Sequence, residues 1–213
     1  KVPLRPKENA LAELPDIIQV LFRFTIVVNH FKNTLTIVEN LLPGQTSRLD
    51  EVQAVLDNHN IAQYGFTPLG RVESSITDEQ YREMVRRGIG HTLRGDVFQI
   101  VPSRRFSCAF RGDEFNAYRA LRSINPSPYL FYFDFGTLRI FGSSPETHLR
   151  IQDGHAYIDP IAGTFRRTGD DEADKKAAAR LLADEKENAE HVMLVDLARN
   201  DLGRHCTDVR VEF

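Results

Sequence analysis

Glu187 and Glu190 are the residues whose types and spacing first suggest chemistry. They stand three apart in LADEKENAEHVMLVDLARNDLGR, the stretch from Leu182 to Arg204. Asp184 followed by Glu187 is a capping-box signature and Gly203 closes an apolar run, so Glu185 to Asp201 is predicted as one helix. Residues three apart share a side of a helix, and this side continues through Leu194, Leu197 and Asp201. Two carboxylates there, where an apolar helix opens toward a groove, could hold a hard cation. A plainer explanation fits the same spacing: Glu187 completes the capping box, and acids in a first turn complement the helix dipole. Val192, Met193, Leu194, Val195, Leu197 and Ala198 leave little polar face farther along, which predicts a buried helix.

The elements that must position this helix are legible in part. Residues 1 to 16 are polar and proline-rich and read as an arm or a cut edge. Ile17 to Val28 and Thr34 to Leu42 are β-branched and apolar, which predicts two strands joined by a short loop. Pro43 to Gly70 has no sustained period and reads as a long connection with one helical turn around Leu49 to Leu56. Thr77 and Gln80 form a second capping box and open a helix toward Leu93. Val97 to Val101 and Arg105 to Phe110 are expected strands, with Pro102 marking a bulge or edge between them.

Asp113 to Ile124 has the spacing of a short amphipathic helix. Tyr129 to Phe135 turns at Gly136-Thr137 into Leu138 to Phe141, and Thr147 to Ile151 turns at Asp153-Gly154 into His155 to Ile158. Asp170 to Ala183 is a further helix. Hairpins rather than regular βαβ units predict an α+β fold with a mainly antiparallel sheet. The expected division is residues 1–70, strands and connection, and 71–213, the core that carries the acids.

Composition narrows the classes. With 213 residues, 41% hydrophobic and 27% charged, the chain has the make-up of an ordinary globular protein with a substantial core. A formal net charge of -3 supplies no electrostatic reason to expect nucleic acid or an anionic membrane surface. Cys108 and Cys206 lie far apart without a CxxC spacing, which suits free thiols in a reducing compartment. No apolar run approaches a membrane span, and the N-terminus is not a signal peptide, so a cytoplasmic location is expected.

Four segments together resemble the chorismate-utilising enzymes: Gly95 to Ser107 (GDVFQIVPSRRFS), Asn125 to Phe135 (NPSPYLFYFDF), GSSPE with PIAGT (Gly142 to Glu146, Pro160 to Thr164), and the acidic helix. Within that family they are most similar to the synthase subunits that make anthranilate, the first step of tryptophan biosynthesis. The resemblance implies a partial chorismate-binding fold and a lyase. Chorismate is aminated at C2 as the C4 hydroxyl leaves, and the enolpyruvyl side chain then departs as pyruvate. It implies Mg²⁺ on the ring carboxylate, with Glu190 and Glu187 as its protein neighbours.

Glu146 matches the family's general acid for the departing C4 oxygen, a task that suits a carboxylic acid because hydroxide is a poor leaving group. Ala162, Gly163, Thr164 and Phe165 match the loop that receives the substrate carboxylate, where glycine lets the main chain approach closely. Relatives that add water carry a lysine base where this chain has Gln99, and relatives that make 4-amino-4-deoxychorismate carry a lysine nucleophile in the place of Ala162. Both absences point to ammonia attacking C2. Phe165 and Pro102 depart from residues common in the family.

Pro128, Tyr129 and Leu130 match the segment that lines the family's tryptophan pocket, which implies feedback inhibition. A glutamine amidotransferase partner is implied as the ammonia source, since no Cys-His glutaminase pair is present in this sequence. The family's chain extends beyond this segment on both sides, so the 213 residues are expected to be a central portion, inactive or nearly so by itself. An apolar edge left by that truncation would favour homo-oligomerisation or disorder. The alternatives are a sister synthase (2-amino-2-deoxyisochorismate, aminodeoxychorismate, or isochorismate and salicylate type) and a non-catalytic module that binds tryptophan or chorismate.

Overall fold

The computed structural model describes residues 17 to 212; the expected N-terminal arm lies outside the described residues. The chain divides into two compact units, one ending at Gln63 and the other beginning at Tyr64.

In the first unit, β1 (Phe24–Asn29) and β2 (Thr34–Glu39) form an antiparallel hairpin, Phe24 opposite Glu39 and Asn29 opposite Thr34. The Asn29 side chain accepts from the Lys32 N–H at 2.9 Å, and Asn33 closes the turn at φ 51°, a left-handed conformation that asparagine tolerates. The strand is shorter than expected, because Ile17 to Phe22 lies outside it. Helix α1 (Leu49–Asp57) follows, longer than the single turn expected from sequence.

Glu39 fastens this unit. Its carboxylate is 3% exposed and accepts from Arg23 Nε at 3.0 Å and Nη2 at 2.8 Å, from Ser47 Oγ at 2.6 Å and from the Arg48 N–H at 3.0 Å. Burial pushes its pKa up, but the bonds from Ser47, Arg48 and Arg23 outweigh that and hold it below the usual glutamate value.

The second unit opens with β3 (Phe66–Ser74), antiparallel to β4 (Phe106–Gly112) with a register shift between Leu69 and Glu73. Helix α2 (Asp78–Leu93) connects them. Its reciprocal capping box is complete: Gln80 N–H donates to Thr77 Oγ1 at 3.2 Å and Thr77 N–H to Gln80 Oε1 at 2.8 Å. Val97 to Val101 is not a strand. Instead this segment is laid on α2, with Ile100 against buried Gly88 and the Tyr81 hydroxyl donating to Pro102 O at 3.3 Å. Arg104 pairs with Asp78 of the first turn of α2 and lies over the rings of Tyr81 and Phe106, 5.3 and 4.6 Å from their centroids.

Helix α3 (Phe115–Ile124) packs on the hairpin of β5 (Tyr129–Asp134) and β6 (Arg139–Ser144). Phe115 and Tyr118 meet Tyr132 at 5.0 and 5.5 Å, and Tyr132 stacks on Phe141 at 5.8 Å. Arg139 reaches Glu114 at 2.7 Å beside this cluster. Gly142 stands opposite Phe131, and a Cβ there would lie 2.7 Å from the ring, so the glycine makes room for the aromatic on β5. The short hairpin β7 (Arg150–Gln152) and β8 (His155–Tyr157) follows, then α4 (Asp171–Ala183) and α5 (Glu185–Leu202).

The architecture is α+β with antiparallel pairing throughout, but the strands form four separate pairs among the described residues rather than one sheet. No large apolar side chain is fully buried among them. The expectation of a buried α5 is therefore corrected: Val192 is 66% and Leu197 54% exposed. Two-stranded pairs and single helices each cover one face of a neighbour and cannot enclose both. The two cysteines are free thiols.

Candidate active site

Glu146 is placed by the end of β6. Ser143 ties that strand to the preceding loop, its hydroxyl donating to Asn125 O at 2.6 Å and accepting from the Ser127 N–H at 3.3 Å. Ser144 then folds the turn: its hydroxyl donates to Glu146 O at 2.9 Å and accepts from the Glu146 N–H at 3.2 Å. The Glu146 carboxylate emerges from this turn and accepts from the Ile161 N–H at 3.2 Å. One carboxylate oxygen is thus anchored on the PIAGT loop.

Glu187 meets the same loop at Gly163. The Asp184 side chain accepts from the Lys186 and Glu187 N–H groups at 3.0 and 3.1 Å, which fixes the first turn of α5. The return half of a capping box is not made, because the Asp184 N–H is spent on Leu181 O at 3.2 Å. The Glu187 side chain instead lies on Gly163. A Cβ built on Gly163 would overlap the carboxylate, with Cδ at 2.8 Å and Cγ at 3.2 Å. Lys186 Nζ stands 3.9 Å from Glu187 Oε1.

Glu190 is one turn farther along. Glu187 and Glu190 are both half-buried while Glu185, Lys186, Asn188 and Ala189 are exposed, so the two acids do share the more enclosed side of the helix. Their donor chemistry fits magnesium, which takes one or two carboxylates and fills its remaining positions with water and substrate oxygens. No group of three or more His, Cys, Asp or Glu side chains suited to a metal gathers among the described residues.

Thus the structure brings together Glu146, the loop with Ala162 and Gly163, and Glu187. Thr164 and Phe165 continue the loop as exposed residues. Gln99 is exposed on the segment laid over α2. Pro128 precedes β5, whose first residues Tyr129 and Leu130 stand opposite Ser144 and Ser143, so they adjoin the strand that carries Glu146. Sequence reasoning missed the Ile161 N–H, a main-chain group with no side-chain signal, and the turn role of Ser144. The Ser-x-Glu spacing was the available clue to that turn.

A family model described as "chorismate binding enzyme" matches residues 2–213. The chain belongs to the chorismate-binding enzyme family. Members similar to it include the anthranilate synthase component 1 of Aquifex aeolicus (strain VF5), 48% identical over 141 residues, which cover 65% of this chain and 28% of that protein. The anthranilate synthase component 1 of Spirochaeta aurantia is 37% identical over 215 residues, covering 96% of this chain and 44% of that protein. Among solved chorismate-binding enzymes, anthranilate synthase component I from Streptococcus pneumoniae TIGR4 superposes with a TM-score of 0.67 at 35% identity, covering 86% of this chain and 42% of that one. The chain spans less than half the length of these relatives.

Proposed function

We propose that this chain carries part of the active site of an anthranilate synthase component 1, which converts chorismate and ammonia into anthranilate, pyruvate and water. The observation that supports it most is the convergence on one loop: Ile161 N–H on Glu146 and Gly163 against Glu187. An acid for a leaving group, a backbone cradle for a carboxylate and an acidic helix start are the parts this reaction needs.

Each residue has a role in that reading. Glu146 gives its proton to the C4 oxygen of chorismate, so the hydroxyl leaves as water while ammonia bonds to C2. The Ile161 N–H holds one carboxylate oxygen and so aims the other. Gly163 and Thr164 receive the substrate carboxylate through main-chain N–H groups and a hydroxyl. Gln99, which cannot deprotonate water, and Ala162, which cannot attack the ring, leave ammonia as the nucleophile. Glu190 and Glu187 are the residues that would hold magnesium, which would supply charge neutralisation at the ring carboxylate. Loss of the enolpyruvyl group as pyruvate completes the aromatic ring.

That the relatives are each a component 1 supports a partner component. We assign it as a glutamine amidotransferase that delivers ammonia. Pro128, Tyr129 and Leu130 are assigned to a tryptophan inhibitor site, next to the strand of Glu146. No helix among the described residues is long and apolar enough to cross a membrane; the proposed location is the cytoplasm. The test is turnover of chorismate with ammonium and magnesium by the intact protein that carries this chain. Anthranilate is the expected product, and an aminated or hydroxylated chorismate that keeps its pyruvyl carbons would reassign the chain to a sister synthase.

A further inference from the structure

Gly163 and Glu187 are 24 residues apart in sequence, and their contact links two parts of the site with different tasks. The glycine belongs to the loop and the carboxylate to the first turn of α5. The space a side chain would need at position 163 is filled by the Glu187 carboxylate itself, within 2.8 Å of Cδ and 3.2 Å of Cγ from an added Cβ. Close approach of the substrate is the ordinary reason for a glycine in such a loop. Here a protein carboxylate already occupies that side.

The atoms that would be displaced matter. They are the far end of a flexible side chain, not main chain, so an added methyl group can be accommodated by turning Glu187 aside at little cost to the fold. Among the described residues nothing else holds that carboxylate firmly. Asp184 caps the Glu187 N–H rather than its side chain, and the nearest cation, Lys186 Nζ, is at 3.9 Å with 84% of its side chain exposed. Exposed pairs of this kind fix geometry weakly.

We propose that Gly163 is a positioning residue for Glu187: its bare main chain forms the seat that fixes the carboxylate in one rotamer, from which it would help to hold a divalent cation. The loop thereby sets metal affinity before any substrate arrives. This rests on the reading of Glu187 and Glu190 as the acids that hold a divalent cation. Because the contact is shared, cation binding at α5 and carboxylate binding at the loop are linked, and each changes the other by the same factor.

The test uses Mn²⁺ as the probe, titrated by electron paramagnetic resonance into the intact protein without substrate, for wild type, Gly163→Ala, Glu187→Asp and the double variant. Gly163→Ala is expected to weaken Mn²⁺ binding about tenfold, the low end for loss of a group that orients a ligand, with an unchanged thermal midpoint. Aspartate is one methylene shorter and draws back the carboxylate that lies nearest the added methyl group in Glu187. Adding Gly163→Ala to Glu187→Asp is therefore expected to cost little more than Glu187→Asp alone. Unaltered Mn²⁺ affinity in Gly163→Ala, or two losses that simply multiply, overturns the seat. Absence of Mn²⁺ binding in the wild type overturns the cation reading itself and the seat with it.

Discussion

At the scale of single residues, Glu146 carries the sharpest consequence. Its turn is held by Ser144 and its carboxylate by Ile161 N–H. Glutamine keeps the shape but has no proton of suitable acidity to give. Glu146→Gln in the intact protein is expected to lower kcat by at least about a hundredfold, the usual scale for a general acid, with KM for chorismate little changed. A loss confined to KM would make Glu146 a binding group instead. The acid pair shows how far residue types alone reach. Spacing left two explanations for Glu187, a capping box or a ligand-facing acid; the Asp184 N–H bonded to Leu181 O sets the reciprocal box aside, and the side chain lies instead on Gly163. Their meeting depends on a separation of 24 residues, which no local spacing encodes.

At the scale of elements, caps and ion clusters give two further expectations. Asp184→Ala removes the acceptor for two N–H groups at the start of α5 and is expected to cost about 1 kcal/mol, read as a lower urea midpoint. Faster hydrogen exchange at Lys186 and Glu187 would accompany it; an unchanged midpoint would mean the first turn is held by other contacts. Glu39 predicts a pH dependence. Its folded pKa lies below the ordinary glutamate value, so its stabilisation is complete above that value and fades as pH falls through the depressed one. The gap in urea midpoint between wild type and Glu39→Gln should therefore be widest near neutrality and narrow in acid. A gap that widens in acid would contradict the sign.

The elements also show what the chain makes legible. Both capping signatures marked true helix starts, because the signal lies within four consecutive residues, although only the one at Thr77 forms the reciprocal box and Asp184 caps α5 from one side alone. The strand β3 was hidden in a supposed connection, since Pro68 and Gly70 interrupt its alternation and its partner β4 is contributed from beyond α2. Val97 to Val101 misled in the opposite direction. Its β-branched residues suit a strand, yet Ile100 is used to cover Gly88 and Arg104 locks the segment to α2. Tertiary packing overrode local preference there.

At the scale of the whole molecule, many large apolar side chains are exposed among the described residues. Phe98 is 95%, Phe31 96% and Val192 66% exposed, where an apolar helix such as α5 had predicted burial. Composition reports how much apolar surface a chain owns, and not whether its neighbours are at hand to cover it. Patches of this kind drive association. The 213-residue chain on its own is expected to scatter light as species heavier than 24.3 kDa and to brighten an apolar dye. A monodisperse 24.3 kDa species that leaves the dye dark would show these faces to be covered. The same exposure bears on activity: the isolated chain, which spans less than half the length of its relatives, is expected to turn over chorismate poorly, and the intact protein well.

The most direct measurement is anthranilate fluorescence from the intact protein given chorismate, ammonium and magnesium, with and without a chelator. Fluorescence that grows with time and stops on chelation is the expected result. Chorismate left unconsumed with magnesium and ammonium in excess would contradict the assignment and leave this acidic helix and its loop as a binding site without chemistry.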